Sequence, residues 1–62
     1  MSVKSVRISK GLSQHGLARR SGVKQGVISD IERGKSKSPR VDTLLRLAQA
    51  LGCTVDDLIR KE

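Results

Sequence analysis

A chain of 62 residues with 13 Lys and Arg against 6 Asp and Glu carries a formal charge of +7 and contains no Phe, Tyr or Trp. Its length predicts one domain over residues 1–62, with a small core near the lower limit for folding without staples and with no effector domain. A single cysteine excludes an internal disulfide, one cysteine with one histidine excludes a structural zinc site, and no apolar run approaches the roughly 18 residues of a membrane span or resembles a signal peptide. The expectation is a reducing, cytoplasmic setting without metal or cofactor. The charge is unevenly placed: residues 1–40 hold ten Lys and Arg against two acids, residues 41–62 three against four. Segregated positive charge suggests a polyanionic partner, because neutralising phosphates releases condensed counterions. Modules for single strands usually stack bases on aromatic rings, so their absence favours duplex DNA, although arginine also stacks.

Five helices are predicted in chain order, roughly 2–10, 14–21, 25–33, 42–51 and 55–60. Gly11, Gly22, Gly34 and Gly52 each follow a stretch of helical periodicity, as C-terminal caps do. Val3 and Val6 give the first helix an i, i+3 stripe, and Leu12 bridges to the second, for which Ser13 is the expected N-cap. In the second helix Leu17 and Ala18 face inward. Gly22 then allows a sharp turn, often with φ > 0, and Val23 plugs it. Ile28 and Ile31 recur at i and i+3 on the third helix, while Lys24, Gln25, Ser29, Asp30 and Arg33 point away. Leu44, Leu45, Leu47, Ala48 and Leu51 make a broad apolar face on the fourth. Thr54 opens the fifth with Asp56 and Asp57 in its first turn, where acids suit the helix dipole, and Leu58 and Ile59 supply apolar contacts.

A short polar helix held out from a small core by another helix is the helix-turn-helix arrangement for reading the major groove, and residues 14–33 fit it. An αα-hairpin that only packs is the alternative. Across nearly the whole chain, SQxxLAxxxGV…IxxIExG followed by TLLRLAQALG resembles the lambdoid-repressor and Cro-like helix-turn-helix family of bacterial and phage regulators. Gln14, Leu17, Ala18, Gly22, Val23, Ile28, Ile31, Glu32 and Gly34 carry the spacing. The resemblance implies an all-α, compact five-helix lambda-repressor-like DNA-binding domain, with its third helix in the major groove, in a family whose members mostly repress transcription as dimers.

Carried over residue by residue, the resemblance implies that Gln14 contacts a phosphate and links to the third helix. Lys24, Gln25, Gly26, Ser29 and Asp30 take base-facing or groove-facing positions. Gln25 suits adenine bidentately, and Asp30 suits either a cytosine amino group or the orientation of Lys24 or Arg33. Arg33, Lys35 and Lys37 are expected on phosphates, and Arg40 beside a narrowed minor groove, with a solvated basic loop as the alternative for all four. Arg7 and Glu32 match a family salt bridge between the first and third helices, for which the planar arginine fork is apt. Three positions depart from the family pattern. Gly16 replaces a usual Glu and removes a capping box with Ser13, Gly26 removes a base-facing side chain, and the loop after Gly34 is longer than common forms. His15 is expected at the surface beside the DNA backbone, and Cys53 as a small packed hydrophobe.

No nucleophile–base set, paired catalytic carboxylates or phosphate-cradling glycine loop exists, so an enzyme is not expected. The sequence reads as a duplex-DNA-binding transcriptional regulator, most simply a repressor of bacterial, phage or mobile-element origin. The antitoxin of a toxin–antitoxin pair and an interaction module without DNA binding are the alternatives. A weak homodimer, formed on DNA, is expected through the near-neutral C-terminal part. Val55, Leu58 and Ile59 are its candidate contacts, Val55 and Ile59 ahead of the inward-facing Leu58.

Overall fold

Helical spacing of Val, Leu and Ile becomes five short α-helices in the computed structural model, which describes residues 2–35 and 40–59. They are α1 (Val3–Ser9), α2 (Gln14–Ser21), α3 (Gln25–Glu32), α4 (Val41–Leu51) and α5 (Val55–Ile59), and the described residues contain no strand. The expected all-α, five-helix architecture is therefore the one observed. No helix among the described residues is long and apolar enough to cross a membrane.

The described ends differ from the sequence expectation by one residue at most, for local reasons. Ser2 is the N-cap of α1 rather than its first residue: its hydroxyl accepts from the Ser5 backbone while the Ser5 hydroxyl accepts from the Ser2 backbone. Lys10 is the C-cap of α1, and Arg33 that of α3. In α2, Ser13 Oγ accepts from the Gly16 N–H at 2.9 Å, so half of a capping box survives without a Glu at position 16. Thr54 and Asp57 form the reciprocal pair in full, each side chain accepting from the other's backbone N–H at 3.2 Å.

Leu17, Ile28 and Leu47 are the largest fully buried side chains, one each from α2, α3 and α4. Val3, Val6, Val23, Ala48, Leu51 and Leu58 complete the core around them, with Leu12, Ala18, Ile31, Ala50, Cys53 and Val55 packed against its edge. Leu44 is also buried. Leu45 does not join the apolar face expected of it and is 47% exposed. It precedes Leu47 by two residues, about 200° around the helix, which turns it away from the core. Cys53 is half-buried as expected. Burial, reinforced by the charge of Asp57 and opposed by that of Lys10, pushes its thiol above the usual range, which leaves it a poor nucleophile.

The turn between α2 and α3 places the rest of the molecule. Gly22 ends α2 in the left-handed region, with φ 73°, and its N–H bonds the Ala18 carbonyl. Among the described residues beyond its chain neighbours, a Cβ there would meet Arg46 Nη1 at 3.8 Å, an ordinary contact. The cost of any substitution is thus conformational rather than steric against neighbours. Gly22→Ala should lower stability by about 1–2 kcal/mol, the penalty of a left-handed L-residue, and Gly22→Asn by less. Urea unfolding of both variants checks this.

Candidate nucleic-acid interface

α2 and α3 meet through side chains as well as through the core. Arg7, on α1, reaches across to α3: its Nε donates to Glu32 Oε2 at 2.8 Å and its Nη2 to Glu32 Oε1 at 3.1 Å. Its Nη1 donates to the Leu12 carbonyl at 2.7 Å, so the same guanidinium holds the chain entering α2. The two side chains are only 11% and 4% exposed. Gln14, the first residue of α2, adds a third bond to the carboxylate, Nε2 to Oε1 at 3.1 Å. Gln14 Oε1 in turn accepts from Gln25 Nε2 at 3.1 Å. Four side chains from α1, α2 and α3 therefore form one continuous network.

Burial alone would raise the Glu32 carboxyl. Hydrogen bonds from Arg7 and Gln14, with the charges of Arg7 and Lys4, outweigh burial and hold it below the ordinary range. The bond to Glu32 raises the Arg7 guanidinium, burial opposes this, and the carboxylate charge adds to the rise.

The network leads outward to the polar face of α3. Lys24, Gly26, Asp30, Arg33 and Lys35 are exposed, while Gln25 and Ser29 are half-buried. Asp30 makes no side-chain hydrogen bond or ion pair with Lys24 or Arg33 among the described residues, so its carboxylate is open to solvent. Lys24 occupies the N-cap of α3 and provides no side-chain cap. At the far end Gly34 and Lys35 return their N–H groups to the Ile31 and Asp30 carbonyls, which stops α3 sharply. Among the described residues, nothing outside its own helix turn and chain neighbours lies within 4 Å of where a Cβ on Gly26 would stand.

Arg40 is exposed at the N-cap of α4, and its Nε lies 3.7 Å from Asp42 Oδ1 with both side chains mostly in solvent. Such a pair contributes little, ~0–1 kcal/mol, and leaves the guanidinium free to exchange partners. Lys37, expected on a phosphate, lies outside the described residues. His15 is exposed on α2. On α5, Leu58 is buried, Val55 is half-buried against the core, and Ile59 is 56% exposed.

One residue of this face escaped the sequence reading. Val27 is 40% exposed on α3, between Gly26 and the buried Ile28. One residue along from the fully buried Ile28, it is turned about 100° around the helix and out of the core.

Breaking the Arg7–Glu32 pair should strand a buried carboxylate. Arg7→Met should cost about 3 kcal/mol at neutral pH, the lower range for a buried pair. In the wild type, folding lowers the Glu32 pKa, so the stabilisation is complete above the ordinary Glu value, about 4.3, and is lost as pH falls through the lower folded value. In Arg7→Met only burial and weaker partners remain, protonation relieves the stranded group, and the deficit should shrink on acidification. Urea unfolding of both proteins at neutral and acidic pH measures it.

The Helix-turn-helix family model matches residues 3–58. An uncharacterized HTH-type transcriptional regulator of Sinorhizobium fredii is 44% identical over 54 residues, an alignment covering 87% of this chain and 69% of the relative. An uncharacterized HTH-type transcriptional regulator of Haemophilus influenzae is 47% identical over 45 residues, covering 73% of this chain and 45% of the relative. The chain thus spans about two thirds of the first relative and less than half of the second. The family match takes in α1 to α4 whole and all but the last residue of α5. With the match running through all five helices, the chain is a member of the XRE-type helix-turn-helix family of DNA-binding transcriptional regulators.

Proposed function

We propose that this chain is a sequence-specific repressor that seats α3 in the major groove of a duplex operator, in the cytoplasm, and binds as a two-fold symmetric pair. One observation carries the reading: Gln25, at the start of α3, is held by Gln14, at the start of α2, in a network anchored on buried Glu32. A long flexible side chain is thereby preorganised at the end of α3 that enters a groove in this type of domain, at little further entropic cost on binding.

The remaining roles follow from position. Lys24, Gln25, Ser29 and Asp30 read base edges, and Gly26 lets the backbone come close. Asp30, open to solvent, is suited to a cytosine amino group. Gln14, Arg33, Lys35 and Lys37 contact phosphates, and Arg40 approaches the minor groove. The role is binding and not catalysis.

Pairing is supported by size. With principal extents of 23 × 20 × 19 Å, one copy covers less than a helical turn of duplex, about 34 Å, and so reads only a half-site. Of the three α5 candidates, Leu58 is committed to the core and Val55 partly so, which leaves Ile59 as the main apolar contact.

Selection of binding sites from random duplexes with the purified protein tests the reading. If each copy neutralises about four phosphates, the affinity of the pair should fall with salt at a log–log slope of roughly −7. Gln25→Ala should cost about 1–3 kcal/mol on the selected site and erase preference at one base pair per half-site. A slope near zero, or an unchanged consensus in Gln25→Ala, would overturn it.

Ile59→Asp should abolish cooperative binding to a palindrome while thermal unfolding stays at the wild-type position, because its side chain is not part of the core. Equal affinity of the wild type for a half-site and a full palindrome would show that no pair forms.

A further inference from the structure

The chain of amides between α2 and α3 has a direction, and a carboxylate sets it. Glu32, kept ionised by the Arg7 fork, has only acceptors to offer. Gln14 must therefore turn its Nε2 donor toward Glu32 Oε1, at 3.1 Å. Its Oε1 then faces the other way, where it accepts from Gln25 Nε2, also at 3.1 Å. Gln25 is left with an acceptor, Oε1, and one unused Nε2 hydrogen to present outward. The directions of both amides follow from the guanidinium and carboxylate at the inner end, whose chemistry allows one assignment only.

We propose that Glu32 is a positioning residue for base recognition: without touching DNA, it makes Gln25 select adenine over guanine. The inference rests on the reading that α3 contacts base edges. Adenine offers the N7 acceptor and the N6 donor in the major groove, which complement one donor and one acceptor. Guanine offers two acceptors, N7 and O6. A reversed amide chain would point both Nε2 hydrogens of Gln25 outward and so suit guanine instead. The same direction leaves Gln14 a second Nε2 hydrogen for a phosphate, whereas reversal would turn an oxygen toward it.

Glu32→Gln is the decisive change, because the new amide can face Gln14 with either its oxygen or its nitrogen. Site selection from random duplexes should compare wild type, Gln25→Ala, Glu32→Gln, Gln14→Ala and the Gln25→Ala/Glu32→Gln double variant, with folding followed by circular dichroism. The wild type should prefer adenine to guanine at one position per half-site by about tenfold or more. Glu32→Gln should remove most of that ratio at that position alone and leave the rest of the consensus in place. In the Gln25→Ala background Glu32→Gln should change nothing further there. Gln14→Ala leaves the Arg7–Glu32 pair untouched and should produce the same loss, so it decides the matter if Glu32→Gln does not fold. A folded Glu32→Gln that binds all sequences more weakly yet keeps its adenine preference would overturn the proposal, and so would an unchanged preference in Gln14→Ala. Should Gln25→Ala leave the wild-type consensus intact, Gln25 is not a base reader, and this inference fails with that assignment.

Discussion

Apolar contacts between short helices fix how far apart they lie much better than how they are turned, because burial is non-directional. In this fold the orientation comes from one guanidinium. Arg7 divides its donors among the Glu32 carboxylate at the end of α3 and the Leu12 carbonyl at the entry to α2. Its planar fork demands fixed angles, so α1, the approach to α2 and the end of α3 turn as a unit. A core without aromatic rings, built around Leu17, Ile28 and Leu47, has little shape of its own with which to enforce that registration. The polar network supplies it from the rim.

Elements with a strong period or a forced turn were legible from the residue order. The broad stripe of α4 and the glycines after α1, α2, α3 and α4 placed the helices to within a residue or two, since each glycine has positive φ where a helix stops. Arg7 and Glu32 were legible through family resemblance and not through spacing, for they are 25 residues apart. What escaped depends on rotation about a helix axis or on side-chain direction. Leu45 and Val27 are apolar in type yet exposed, because a run of adjacent apolar residues cannot all face one way. The Ser2–Ser5 box was hidden because serine seldom takes the place of Glu in that motif. The link between Gln14 and Gln25 crosses a turn, and its direction needs the position of Glu32 in space.

The helix beginnings divide into two kinds. α1, α2 and α5 start with a hydroxyl that accepts from the first turn: Ser2, Ser13 and Thr54. α3 and α4 start with Lys24 and Arg40, and neither side chain caps. A cation at the positive end of a helix dipole is mildly unfavourable, and the leading N–H groups lack a side-chain acceptor. Stability is thus given up at the starts of α3 and α4, while α1, α2 and α5 each begin with a side-chain cap. Electrostatic strain of this kind is relieved by any anion that comes to rest there.

Gly26 has a consequence for how such a regulator can change over generations. Glycine costs up to roughly 0.5–1 kcal/mol relative to alanine in the middle of a helix, less in the first turn where Gly26 stands, and among the described residues nothing outside its own helix turn lies within 4 Å of a Cβ there. Gly16 differs, since a Cβ there would stand 3.3 Å from the Ser13 cap. At position 26 a mutation can therefore add a new group to α3 without a clash against the rest of the described fold. Most routes to altered specificity pass through a weakened fold, which a small helical core tolerates poorly. If α3 reads base edges as proposed, this is a position where a substitution can change the operator without first unfolding the domain.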